Sequence, residues 1–207
     1  IDNTIRPVGG WVAKTEDEGN YPMRGAIAWR SNDTSRYLAA GNANQLVTYL
    51  DNGDLVDITP AGLTAGIEHA SINDGFGGSF YGSSYYGTER LNTQSTIPAT
   101  TWSMDTWGEY LVACSTADGK IYEWTLATGT AAAVVTNAPI SNRGAVVTDE
   151  RFLMALGAGG NPRKVQWCDQ EDNTLWTPAS TNQAGSQILQ TVGQCMAAVR
   201  TAGQTLV

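Results

Sequence analysis

Long apolar runs are missing from this 207-residue chain, and charged residues make up only 15% of it. A membrane-spanning helix needs roughly 18 or more consecutive apolar residues, so no membrane anchor is expected. Apolar residues do not recur at helical spacing, whereas the chain contains 23 glycines. This combination favours short strands joined by turns over surface helices.

Basic residues are also scarce. Lysine and arginine total 12 against 20 aspartates and glutamates, which gives a net charge of −8. Proteins that bind a phosphate backbone need a basic patch or stripe. The scattered basic residues of this chain form none, so a nucleic-acid partner is not expected.

Residues that could support metal or nucleophile chemistry are few. His69 is the single histidine. No cysteine or carboxylate stands at metal-ligand spacing from it, and no sequence motif of a catalytic triad accompanies it. No metal, no cofactor and no enzymatic activity are therefore expected. The three cysteines are interpreted as buried reduced thiols, with one disulfide as the alternative; they are Cys114, Cys168 and Cys195.

The most informative feature that is present is an internal repeat of about 43 residues. Its anchors are Tyr110–Ala113, Phe152–Ala155 and Cys195–Ala198, and a fourth copy, Tyr37–Ala40, lies upstream beyond an insertion. A period in the forties built from short strands and tight turns is typical of a β-propeller blade. The sequence therefore predicts an all-β fold, a β-propeller of four-stranded antiparallel blades.

Turn signals support this division of the chain. Asn52–Gly53 and Asp118–Gly119 separate apolar segments and favour two-residue hairpins. The predicted segments are 1–24 (end of a preceding blade), 25–60 (blade), 61–99 (insertion), 100–136 (blade), 144–178 (blade) and 187–207 (truncated blade). Since a propeller is a closed ring, this division describes an incomplete one, and we expect further blades to come from additional sequence of the same chain.

Individual strands follow from the repeat. Within each blade a first strand precedes the anchor strand, and a third and an outer strand follow it. The third blade is predicted to have its outer strand at 174–177, and the fourth its first strand at 187–191. The predicted anchor strands, which should be among the most buried elements, are Tyr37–Gly41, Tyr110–Ser115, Phe152–Gly157 and Cys195–Arg200.

The insertion between the first two blades is rich in glycine, serine and tyrosine over residues 75–87. It has too few bulky aliphatic residues to form its own core. One interpretation is a long loop lying on the propeller; the other is a contact arm, because tyrosine provides large contact area at low entropic cost. The candidate interface residues are Phe76, Phe80, Tyr81, Tyr85 and Tyr86.

Two motifs are interpreted as turns. Gly157–Pro162 resembles a phosphate loop, but Pro162 lacks a backbone donor and no helix follows. Asp169–Asn173 is the densest acidic cluster, yet it lacks the glycine and the final glutamate of a calcium loop. A solvated turn is favoured there, with weak cation binding as the alternative. Tryptophans recurring at equivalent blade positions are interpreted as packing residues, with sugar stacking as the alternative.

Several segments resemble tailed-bacteriophage structural proteins. The resemblance is carried by Trp102–Trp124, Arg151–Gly160, Val165–Glu171, Thr174–Pro178 and Asn182–Gly185, within the second half of the chain. In that group, propeller domains occur in tail hubs and nozzles, which form rings below the portal without enzymatic activity. The resemblance implies a virion tail location after assembly in the host cytoplasm, with other tail proteins and further copies of the chain as partners.

Three functional classes follow from these observations. The first is a non-enzymatic structural component of a phage tail, of the hub, nozzle or adaptor type. The second is a receptor- or glycan-binding propeller, suggested by the aromatic insertion. The third is a glycoside hydrolase propeller, whose paired carboxylates would have to be brought together by the fold.

Overall fold

The computed structural model describes residues 10, 22–72, 96–201 and 204–207. They form an all-β structure with three four-stranded antiparallel sheets, two two-stranded ribbons and a single 3₁₀ turn. The prediction of an all-β fold with four-stranded antiparallel sheets is therefore confirmed. A closed ring of sheets is not seen within the described residues.

The first sheet is a meander of four strands in chain order. They are β1 (Gly25–Arg30), β2 (Arg36–Gly41), β3 (Leu46–Leu50) and β4 (Leu55–Asp57). The turn between β3 and β4 contains Gly53 at φ 94°, where the amide of Gly53 donates to the carbonyl of Leu50 at 2.9 Å. Residues 51–54 separate the two strands, so the prediction of a two-residue connection is wrong. The Leu50 amide donates to the Asp54 carbonyl at 3.0 Å and closes the turn.

A two-stranded ribbon follows, formed by β5 (Ser71–Ile72) and β6 (Thr96–Ile97). The second sheet then repeats the meander. Its strands are β7 (Trp102–Trp107), β8 (Tyr110–Ser115), β9 (Ile121–Trp124) and β10 (Ala133–Val134). All of β8 after Tyr110 is buried, as predicted for an anchor strand.

The third sheet contains β11 (Gly144–Val147), β12 (Leu153–Leu156), β13 (Lys164–Trp167) and β14 (Gly185–Ile188). The prediction of its outer strand at 174–177 is wrong, because β14 pairs with β13 in that place. Residues 174–177 instead belong to a turn in which the Trp176 indole donates to the Asn173 carbonyl at 2.6 Å. The predicted first strand at 187–191 is wrong for the same reason, since it begins inside β14.

The chain ends in a hairpin of β15 (Val199–Thr201) and β16 (Gln204–Leu206). The predicted anchor strand Cys195–Arg200 is therefore wrong over most of its length. Cys195 is buried, but Met196 is 72% exposed, and the Cys195 amide bonds to the Pro162 carbonyl at 2.7 Å rather than to a strand.

Two apolar clusters hold the three sheets together. One lies between the first and second sheets and includes Ala39, Leu46, Trp102 and Trp124. The other lies between the second and third sheets and includes Trp107, Val112, Val147, Leu153 and Trp176. The second sheet therefore has both faces buried, and the first strands β1, β7, β11 and β15 follow one another as spatial neighbours.

Candidate functional site

An open groove of about 670 Å³ lies at one end of the stacked sheets. Turns and connecting segments rather than strands form its walls. Its lining includes the β8–β9 turn, the segments that precede β7 and β11, and the connection from β12 to β13. Because these walls are turns and connections of the second and third sheets, the groove exists only when the two sheets have packed together.

Asn142 holds two of these walls together. Its amide Nδ2 donates to the carbonyl of Gly119 at 2.8 Å and to that of Pro139, and its backbone amide also bonds to Gly119 at 2.9 Å. A Cβ on Gly119 would lie 2.5 Å from the Asn142 nitrogen, and the φ of Gly119 is +64°. This close approach requires glycine. The Oδ1 atom of Asn142 is buried without a protein partner.

Asp118 provides a nearly buried carboxylate in the same wall, with a side chain that is 5% exposed. It accepts a hydrogen bond from the Tyr122 hydroxyl and another from the Lys120 backbone amide at 3.1 Å. Burial, followed by the contact with Asp118, raises the pKa of Tyr122 well above its usual range. The carboxylate is thus engaged in holding the turn, and the groove offers mainly hydroxyl, amide and backbone groups, together with the exposed Arg143.

The insertion begins at the rim of this groove. Ile67 and Thr100 are joined by two hydrogen bonds, from the Ile67 amide to Thr100 Oγ1 at 2.8 Å and from the Thr100 amide to the Ile67 carbonyl at 2.9 Å. They fix the base of the β5–β6 ribbon beside the groove. The predicted interface residues lie between these two strands and outside the described residues: Phe76, Phe80, Tyr81, Tyr85 and Tyr86.

The other motifs occupy ordinary structural positions. His69 is exposed, with Nε2 3.4 Å from Glu68 Oε1. Asp172 accepts hydrogen bonds from the amide and hydroxyl of Thr174, which lower the pKa of that carboxyl, so this acidic segment forms a turn. Within the described ranges no group of three or more His, Cys, Asp or Glu side chains could hold a metal ion.

The cysteines are free and buried, so the prediction of buried reduced thiols is confirmed. Burial raises the pKa of the Cys114 thiol to about 12 and that of Cys168 to about 11. Because the thiolate is the nucleophilic form, these two groups are protonated and unreactive at neutral pH.

Sequence reasoning missed the polar residues that join the sheets. Ser103 Oγ accepts from the Ala145 amide at 2.8 Å, and Asp105 Oδ2 accepts from the Val147 amide at 2.9 Å. Asp105 Oδ1 also lies 3.7 Å from a guanidinium nitrogen of Arg200. Asp105 thus links β7 to β11 and to β15. Ser103 and Asp105 are two residues apart in β7 and therefore share one face of the strand, which the sequence alone shows. Their partners could not be predicted, because they lie at least 42 residues away in the sequence.

Comparison with known proteins identifies no relative. No protein-family model, no curated protein and no solved structure matches the chain. No helix in the part of the chain that the structure describes is long and apolar enough to cross a membrane.

Proposed function

We propose that this chain is a non-enzymatic structural component of a phage tail, of the hub, nozzle or adaptor type. Its three sheets act as blades of a β-propeller, and β15–β16 begins a fourth. It is assembled in the host cytoplasm, resides in the virion tail, contacts other tail proteins and forms a homo-oligomeric ring.

The observation that carries the proposal is the serial contact of the first strands β1, β7, β11 and β15. Radial packing of four-stranded meanders through their first strands is the arrangement of propeller blades. The hydrogen bonds that Ser103 and Asp105 accept from backbone amides of β11 also restrict sliding between the second and third sheets. A rigid body of this kind suits a role in which loops present contact surfaces to neighbouring proteins.

The aromatic insertion is the proposed contact arm, and its removal tests the role. Deleting residues 75–87 should leave the sheets folded, because the β5–β6 ribbon is anchored at its base by Ile67 and Thr100. Circular dichroism should be unchanged, whereas co-assembly with the other tail proteins should be lost.

Because the deletion also shortens the insertion, a second variant that keeps the full length of the chain serves as the control. It replaces the five aromatic residues by serine at positions 76, 80, 81, 85 and 86, and it should show the same assembly defect. Normal assembly of both variants would exclude the arm as the interface. Hydrolysis of a glycan by the purified wild-type protein would instead contradict the non-enzymatic role.

A receptor- or glycan-binding propeller is the second candidate, and the groove favours it. Its wall combines Thr116, Ser141 and Arg143, which offer hydroxyl and guanidinium groups of the kind that bind sugar hydroxyls. Binding on a glycan array that is lost in the Arg143→Ala variant would support this function over the structural one.

A further inference from the structure

We propose that the groove formed by turns of the second and third sheets binds a saccharide that carries a carboxylate, such as a uronic acid residue, and that the Arg143 guanidinium holds this carboxylate. This inference rests on the glycan-binding candidate of the preceding section and gives it a ligand class. It does not involve the aromatic insertion, so it is tested separately from the tail role.

The first argument is the charge of the groove. Of the described residues that line it, Asp118 and Arg143 are the two charged ones. The Asp118 carboxylate is already engaged, because it accepts from the Tyr122 hydroxyl and the Lys120 amide and lies 4.0 Å from the Lys120 ammonium. The Arg143 guanidinium has no ion-pair or hydrogen-bond partner in the described part of the chain. This uncompensated positive charge, in a protein of net charge −8, suits a carboxylate bound through two parallel hydrogen bonds.

The second argument is the fixed path of the Arg143 side chain. The Arg143 amide donates to the Leu156 carbonyl at 2.8 Å. A Cβ on Gly157 would lie 3.1 Å from Arg143 Cγ and 3.4 Å from its Cδ, so the aliphatic stem packs along the backbone of Gly157. Because this packing restricts the stem before a ligand arrives, less side-chain entropy is lost on binding.

The third argument is the backbone conformation of Ser141, which lines the same wall. Its φ is 58°, a left-handed conformation that is uncommon for residues other than glycine. The Ser141 carbonyl accepts from the Gly160 amide at 3.2 Å. The Ile140 carbonyl accepts from the Gly159 amide at 3.0 Å, and together these bonds fix the segment. Backbone conformations of this kind persist where the surrounding structure holds them, and they cluster at ligand sites.

The fourth argument is the set of polar groups that lack partners. Ser141 and Thr101 are exposed in the groove lining, and neither hydroxyl makes a hydrogen bond within the described residues. Asn142 is 3% exposed, yet its Oδ1 has no donor there, whereas buried acceptors in folded proteins are normally satisfied. Hydroxyl groups both donate and accept, so a ligand rich in hydroxyls complements this wall.

The form of the walls favours a saccharide over an acidic peptide. None of the described lining residues belongs to a β-strand, so the groove offers a peptide no strand edge with which to pair. The groups named above lie in turns and connections of the second and third sheets, each of which has four strands. The proposed site therefore depends on two complete sheets and not on the C-terminal hairpin.

Isothermal titration calorimetry with a galacturonic acid trimer and its methyl ester tests the proposal. The two probes share the same sugar rings and differ in charge. The acid should bind about tenfold or more tightly than the ester, and Arg143→Gln should remove this preference by raising the Kd of the acid about tenfold or more. The matched control Arg36→Gln changes an exposed arginine of β2 and should leave both affinities unchanged.

A second variant separates binding from folding. Glycine adopts the φ of 58° found at Ser141 more readily than serine does, so Ser141→Gly should be at least as stable as the wild type in thermal denaturation. Its Kd for the acid trimer should nevertheless rise several-fold, because the hydroxyl is lost. An affinity equal to that of the wild type would contradict the proposed contact.

Three further results would overturn the proposal: an acid trimer that binds no tighter than its ester, acid binding that survives Arg143→Gln, or a polyglutamate peptide that binds as tightly as the acid trimer. Equal binding of acid and ester would still leave the glycan-binding candidate in place. Absence of binding to both probes and to a glycan array would remove the candidate as well. None of these results bears on the tail assembly tested by deletion of residues 75–87.

Discussion

At the scale of single residues, burial has a larger effect on the pKa of a side chain than the residues next to it in the sequence. Cys114 is fully buried in β8, and desolvation, with a smaller effect from Asp118, raises the pKa of its thiol to about 12. The folded state therefore holds this proton over a pH range in which the unfolded chain, with an ordinary value of 9.0, releases it.

Alkaline pH should reveal this difference as a loss of stability. The contribution of Cys114 is fully present below pH 9.0 and is lost as the pH rises toward about 12, because the unfolded state then binds fewer protons than the folded state. The stability advantage of the wild type over Cys114→Ala should fall with pH, with a slope approaching ~1.4 kcal/mol per pH unit. Urea unfolding of both proteins at several pH values measures it.

A constant difference between the two proteins across this range would contradict a buried, protonated Cys114. Cys168 has a raised pKa as well, but it is present in both proteins and cancels in the comparison.

At the scale of elements, the sheets are joined by large rings placed against glycine. Trp102 at the start of β7 donates from its indole to the Asn42 carbonyl at 2.7 Å. A Cβ on Gly41 would lie 2.5 Å from this ring, and one on Gly25 would lie 2.6 Å from the Trp102 carbonyl oxygen. The contact between the first two sheets thus depends on glycine at the facing ends of β1 and β2.

Gly41→Ala should therefore destabilise the protein by about 1–3 kcal/mol, the usual cost of overpacking a core. The matched control is Gly129→Ala, because a Cβ at Gly129 meets nothing within 4 Å. Thermal and urea denaturation should show a clear loss for the first variant and little change for the second. Equal stability of the two variants would mean that Trp102 does not pack tightly on the first sheet.

At the scale of the whole molecule, the second sheet couples the other two. It contributes Trp102 and Trp124 to one apolar cluster and Trp107 to the other, so loss of either neighbour would expose part of its apolar surface. The polar links from Ser103 and Asp105 act across one of the same interfaces.

We expect this coupling to produce a single unfolding transition for the three sheets. Tryptophan fluorescence reports mainly on the buried rings Trp102, Trp107, Trp124 and Trp176, whereas far-ultraviolet circular dichroism reports on all strands. The two urea curves should coincide, as in two-state unfolding. Separate midpoints would indicate that one sheet unfolds independently of the others.

The sequence alone was sufficient to predict most of the strands. The period of about 43 residues and the turn glycines located the first two sheets and three strands of the third. In these strands apolar residues either alternate with polar ones or form a continuous run, and strong turn signals lie on both sides. The burial of the cysteines also followed from residue type.

Tertiary contacts decided the rest. Gly185–Ile188 is mostly exposed and shows no apolar pattern, yet it pairs with β13, whereas the apolar pair Leu175–Trp176 forms a turn because the Asp169 amide bonds to the Leu175 carbonyl at 2.8 Å. The groove walls and the Asp105 links join residues distant in sequence. Local pattern determines which strands form, but the partner of an edge strand or a polar side chain is fixed only when the sheets pack.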